Sequence, residues 1–140
     1  MVSAATTFAP ERAANTLGQA LAQLSPREVV LEVVAPALNE IRQGWQEDGL
    51  CILGEHAVTA LLRTELGQLV SAGARNSGPP IVCTTPAGEP HELGLLLVAV
   101  LVAVHGFKPL YLGPNLPASQ VVEAARRSDA RAVALSVVTL

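Results

Sequence analysis

The sequence predicts an α/β chain in which a small helical bundle precedes a parallel β-α-β-α-β half. Three observations carry that prediction. Hydrophobic residues make up 50% of the 140 positions and aromatic ones only 3%. The interior therefore has to be built from Leu, Val, Ile and Ala, a composition that suits helices packed on a parallel sheet. Apolar residues recur every three or four positions through residues 11–74, which is the helical period. After residues 73–80 that period gives way to short apolar runs separated by helical stretches.

The first helix is expected over residues 11–24, where Ala14, Leu17, Leu21 and Leu24 define one face. Ser25-Pro26-Arg27-Glu28 then restarts the chain. Ser25 is a natural N-cap, Pro26 fits the first helical position and Glu28 completes a capping box. Within the next helical pattern Pro36 has no amide hydrogen and would meet the carbonyl four residues earlier, so a break or kink is expected near Ala35. Beyond it Leu38, Ile41 and Trp45 share a face, Gly49 marks a loop, and residues 55–72 form a further helix with Val58, Leu62, Leu66 and Leu69 inward. Four such segments predict a four-helix-bundle cap over residues 1–75.

The stretch from Gly73 to Pro80, with Asn76-Ser77-Gly78-Pro79-Pro80, turns more readily than it packs and reads as the linker between the cap and the second half, residues 76–140. Ile81-Val82-Cys83-Thr84-Thr85 reads as a first strand, residues 92–105 as a helix and residues 109–112 as a second strand. Residues 118–128 follow as a helix, and a third strand lies within residues 130–138. Short connections in this order imply parallel strands and right-handed crossovers, a Rossmann-like (flavodoxin-like) half. The sequence stops at Leu140, directly after a strand that ought to be buried. The sheet is therefore expected to be truncated, as a fragment of a longer domain or with its edge covered by another chain.

Charge and composition exclude several classes. The net charge is −3 and the longest run of basic residues is the pair Arg126-Arg127, which gives no footprint for direct nucleic-acid contact. Cys51 and Cys83 match no metal or redox spacing and read as reduced, semi-buried thiols. Thr6-Thr7 and Pro10-Glu11-Arg12 interrupt the N-terminus where a signal peptide needs an apolar stretch. The apolar run at residues 93–104 is shorter than the ~20 residues that span a bilayer. The expected setting is cytoplasmic, without membrane contact. No Ser or Cys stands with a His and an acid in a recognisable nucleophilic context, so the sequence is not read as an enzyme.

Ligands of open parallel sheets sit beyond the carboxyl ends of the strands, where the winding reverses. If the first strand lies between the other two, the relevant segments are the loop leading to His91 and the residues at Ser136 and Val137. In Glu89-Pro90-His91-Glu92-Leu93-Gly94, a histidine entering a helix can offer one ring nitrogen to a metal while the other donates to a carboxylate. Glu89 and Glu92 are both placed for that supporting role. Gly94, one turn on, lets a bulky planar ligand approach the backbone. The same pattern also describes a hydrogen-bonded surface histidine. A second cluster joins Trp45, the only tryptophan, with Glu55-His56 at the start of a helix. It reads either as a plug at the end of the bundle with a solvated histidine, or as an aromatic plate and two polar groups lining a cavity. A zinc site made from His56, His91 and a carboxylate lacks close ligand spacing.

Taken together, Leu24-Ser25-Pro26-Arg27-Glu28-Val29-Val30, Trp45 nine residues before Glu55-His56, and Gly88-Glu89-Pro90-His91-Glu92-Leu93-Gly94 form a pattern that continues through Tyr111-Leu112-Gly113-Pro114 and Ala134-Leu135-Ser136. It resembles the cobalamin-binding domains of light- and cobalamin-dependent MerR-family transcription regulators of the CarH and LitR type. The resemblance covers nearly everything after residue 20. It implies a helical cap over the Rossmann-like half with a corrinoid between them, adenosylcobalamin first and methylcobalamin as the other form.

By the same resemblance His91 would be the lower axial cobalt ligand in place of the cofactor's own base, with Glu89 as its hydrogen-bond partner. Glu92, Gly94, Ser136 and Val137 would line the cofactor's path, and Trp45, Glu55 and His56 would cover its upper face. The family further implies a homo-oligomer or a DNA-binding partner domain, because no helix-turn-helix precedes residue 20. Gln46 follows Trp45 where such photoreceptors can carry a second histidine, so cobalamin sensing is better founded than light sensing. Two other readings use the same residues. One is a corrinoid methyl-carrier subunit of a methyltransferase system, and the other is a degenerate domain kept for protein association.

Overall fold

A computed structural model describes residues 9–44 and 52–138 of the chain. Trp45, Gln46, Gly49 and Cys51 lie outside the described residues. The chain divides between Thr64 and Glu65 into two compact units. Among the described residues no helix is long and apolar enough to cross a membrane.

The first unit is helical. It contains α1 (Pro10–Gln23), α2 (Pro26–Glu28), a π-helical segment (Val29–Val34), α3 (Ala35–Gly44) and the first part of α4 (Ile52–Gly73). Ser25 starts α2 with the expected capping box: its amide donates to Glu28 Oε2 at 2.8 Å, and its hydroxyl oxygen accepts from the Glu28 amide at 3.4 Å. The Ser25 hydroxyl in turn donates to Glu28 Oε2 at 2.7 Å, and this bond first, with the Ser25 amide second, holds the Glu28 carboxyl below the usual carboxylate range.

Of the break or kink expected near Ala35, no break is present, and the irregularity there is a π-helical turn. The chain stays helical from Pro26 to Gly44, and the turn before Pro36 widens instead, so that the Ala35 amide donates to the Val30 carbonyl five residues back. A π turn accommodates a residue without an amide hydrogen while keeping its ring away from the preceding carbonyl, which an α turn cannot do. The core of this unit is Ala13, Leu17, Val29, Val30, Val34, Ala37, Ile41, Val58 and Leu62. Ala13, fully buried, takes the place expected of Ala14, which is exposed. Along α4 the buried face runs Val58, Leu62, Leu66, Val70, so Val70 replaces Leu69. Steps of four residues, rather than alternating threes and fours, account for that shift.

The second unit holds β1 (Pro80–Pro86), α5 (Leu93–Val104), β2 (Lys108–Leu116), α6 (Ala118–Arg127) and β3 (Ala132–Leu135). The three strands are parallel in the order β2-β1-β3, which meets the condition set for a ligand site at the ends of β1 and β3. Ile81 to Thr85 are all buried, so an unbroken apolar run marks a central strand. α5 packs on β1 and β2 through Leu95, Leu96, Ala99 and Val100, and α6 packs on β1. β3 is an edge: Val133 and Leu135 are 39% and 54% exposed.

Residues 73–80, read from the sequence as a linker, are fastened down at two points. Asn76 Nδ2 donates to the Ala103 and Phe107 carbonyls at 2.8 Å each, tying the segment to the end of α5. At Gly78 an added Cβ would lie 2.0 Å from the Gly106 carbonyl oxygen, so only glycine permits this approach.

Candidate functional site

The loop after β1 turns at Gly88, whose φ of +90° is open to glycine, and delivers Glu89, Pro90 and His91 to the start of α5. Glu89 is 3% exposed, and N–H groups of His91 and Val138 meet its carboxylate. Oε1 accepts from the His91 amide at 3.0 Å and from His91 Nδ1 at 2.5 Å. Oε2 accepts from the Val138 amide at 2.7 Å, which joins the loop to the residues following β3. Such donors offset the cost of burying an acid.

The pairing gives His91 a defined role. A buried carboxylate at Nδ1 places the ring hydrogen there and leaves Nε2 with its lone pair. The His91 side chain is 58% exposed, so that nitrogen is open to a ligand arriving from outside. Of the two acids proposed to support the imidazole, Glu89 holds it, and Glu92 accepts the Tyr111 hydroxyl at 2.6 Å.

Gly94 and Ser136 come together. A Cβ on Gly94 would sit 3.1 Å from Ser136 Oγ, and the Ser136 amide donates to the Thr84 carbonyl at 3.2 Å. Val137 beside them is 47% exposed. Glu89, His91, Glu92, Gly94, Ser136 and Val137 thus gather at the carboxyl ends of β1 and β3, where an open parallel sheet receives its ligands. The donor set fits a metal held in a macrocycle: one imidazole nitrogen, a carboxylate behind it, and a glycine where a side chain would narrow the opening. Among the described residues there is no cluster of three His, Cys, Asp or Glu able to hold a bare metal ion.

Glu55 and His56 stand in the first turn of α4, in the helical unit. Glu55 Oε1 accepts from the Thr59 hydroxyl at 3.0 Å, and His56 is exposed. Trp45, their expected companion, falls outside the described residues.

Sequence reasoning missed three groups beside the histidine loop. The Thr85 hydroxyl donates to the Glu89 carbonyl and accepts from the Asn115 amide at 2.7 Å. Asn115, at φ +64°, in turn accepts the Gly88 amide on its side-chain oxygen at 2.8 Å. The third is the Val138 amide. An asparagine directly after Gly113-Pro114 signals a left-handed turn residue, but nothing local tells which loop it meets. Cys83, on β1, is fully buried, and burial pushes its thiol up to about 11.

Residues 1–69 match the B12 binding domain family. The chain is 29% identical over 138 residues to the HTH-type transcriptional repressor CarH of Myxococcus xanthus, covering 99% of this chain and 46% of that protein. It is 32% identical over 90 residues to the repressor CarA of the same organism, covering 64% of this chain and 31% of CarA. It is also 23% identical over 133 residues to dimethylamine corrinoid protein 3 of Methanosarcina acetivorans, covering 90% of this chain and 61% of that one. The chain therefore spans less than half the length of either repressor. Among solved structures, a cobalamin-binding protein from Desulfitobacterium hafniense aligns over 99% of this chain and 67% of its own, at 17% identity and a TM-score of 0.45. The resemblance to CarH-type cobalamin-binding domains is borne out by the family match and by the two repressors.

Proposed function

From its place among the B12-binding relatives of CarH-type repressors, we propose that this chain is a cobalamin-binding regulatory domain whose cobalt ligand is His91. The observation that carries the proposal is the Glu89–His91 pair. One ring nitrogen is fixed by a buried carboxylate and the other is open to solvent, at the pole of the sheet where Gly94 leaves room beside Ser136. Glu92 and Val137 border the same opening. Trp45, Glu55 and His56 are assigned to the upper face of the corrinoid on the family resemblance. In this reading residues 1–75 form the cap and residues 76–140 the ligand-bearing half.

Adenosylcobalamin is the preferred form, and when bound it supplies a light-labile cobalt–carbon bond. The chain's own part is to bind the corrinoid, to replace its base with an imidazole and to exclude water from the cobalt. A cytoplasmic regulator would act through a DNA-binding segment or partner and through association with further copies of itself. Adenosylcobalamin added in the dark should give a base-off spectrum that His91→Ala abolishes. A spectrum that stays base-on in the wild type, or that is the same in both proteins, rules out the ligand assignment. The same samples, illuminated and sized, report whether light alters assembly.

The match to a dimethylamine corrinoid protein supports a second reading, a methyl carrier. Methylcobalamin turnover with a methyltransferase partner, unaffected by Trp45→Ala, would favour it over the sensor.

A further inference from the structure

We propose that Thr85 and Asn115 are positioning residues, a latch that fixes the His91 imidazole with its hydrogen on Nδ1 and with Nε2 bare. The inference rests on the corrinoid reading above for its purpose, and on the loop geometry alone for its mechanism.

Glu89 can orient an imidazole only as well as its own backbone is held. Three bonds from outside the loop's own residues do the holding. Thr85, fully buried on β1, donates its single hydroxyl hydrogen to the Glu89 carbonyl. The lone pairs of that hydroxyl are free to accept, and the Asn115 amide fills one of them at 2.7 Å. Asn115 then reaches back with Oδ1 to the Gly88 amide at 2.8 Å, so one residue of the β2 end grips both sides of the turn that precedes Glu89.

The backbone of β2 is shaped for this grip. The register between β1 and β2 shifts twice, between Cys83 and Thr84 and between Thr84 and Pro86. Gly113 at φ +77° and Asn115 at φ +64° accompany the shifts. Bulges of this kind re-aim residues beside binding sites. A non-glycine residue in the left-handed region is uncommon, and asparagine tolerates it best. The opposite side of the loop is held independently by the Val138 amide on Glu89 Oε2, so the latch and this amide fix the carboxylate from two directions.

Thr85→Val keeps the shape and removes both the donor and the acceptor, Thr85→Ser restores them, and Asn115→Ala removes the grip on Gly88 and the side chain best suited to φ +64° while keeping the amide that donates to Thr85. The apo chain, labelled with 15N and held at a pH where the imidazole is neutral, reports the tautomer directly from its ring nitrogen shifts. The wild type should show Nε2 as the unprotonated nitrogen. Thr85→Val and Asn115→Ala should show mixed tautomers, and Thr85→Ser should return to the wild-type state.

Titration with aquocobalamin supplies the second readout. Asn115→Ala should bind about tenfold more weakly, the lower end of what outer partners of a metal ligand contribute. Should Thr85→Val fail to fold, Asn115→Ala, at an exposed position, carries the test. Unchanged tautomers in the variants, or a wild type protonated at Nε2, overturns the latch. A loss of thermal stability without a change of tautomer also overturns it, because that is what a merely structural role would give. A wild type that leaves cobalamin base-on refutes the corrinoid reading, and the tautomer still decides the latch.

Discussion

Glu89 shows why a single carboxylate can be harder to replace than the imidazole it holds. Both oxygens accept from N–H groups, so an isosteric amide would turn its own NH2 toward one of those donors. Glu89→Gln should therefore weaken corrinoid binding by roughly 10- to 100-fold, as removal of a metal ligand's outer partner does, measured by absorbance titration. Cys83 makes a separate prediction at this scale. Its thiol titrates near 9.0 when free and near 11 when folded, so the folded state holds the proton more tightly. That contribution is complete below pH 9 and declines as the pH rises toward 11. Denaturant midpoints should accordingly fall between those pH values, and Cys83→Ser should flatten the decline. At neutral pH a maleimide should label Cys83 only as fast as the protein opens.

Elements differ in how much of their stability is local, and the sequence was readable where it is. Ser25-Pro26-Arg27-Glu28 contains every partner of its own cap, and the structure shows the expected bonds. Ser25→Ala should cost about 1 kcal/mol in unfolding free energy. The lowered Glu28 carboxyl sets the sign of the pH effect: the cap is fully effective above the ordinary carboxylate value and is lost as acid protonates Glu28, so Ser25→Ala should matter less in acid. The π segment was not legible, because Pro36 specifies only that an α turn fails there and a break satisfies the same rule. The Thr85–Asn115 bond spans 30 positions and depends on strand pairing and two register shifts, so no local pattern announces it. His91 and Glu89 lie two residues apart, and their pairing could be foreseen. Gly78 belongs with the hidden cases. Its added Cβ would strike a backbone carbonyl that cannot swing away, so Gly78→Ala should destabilise by roughly 1–3 kcal/mol in thermal or urea unfolding.

The chain as a whole leaves β3 paired on one side among the described residues, with apolar side chains at Val133 and Leu135 in view. An edge of that kind accepts another strand unless something blunts it. The 140-residue chain should self-associate with rising concentration, and Val133→Lys should reduce the effect in light scattering. Ile81-Val82-Cys83-Thr84-Thr85 was legible as a strand, while its central place rests on pairing with two distant strands that no local pattern announces. The bond from the Val138 amide to Glu89 Oε2 has a mechanical consequence. Whatever pulls on the backbone past β3 also tugs the acid that steadies the imidazole, and a guest on that imidazole, in the corrinoid reading proposed above, would tighten the same cord from the other end. Occupancy and the position of residues 136–138 would thereby be linked through one shared anchor, without any helix having to travel.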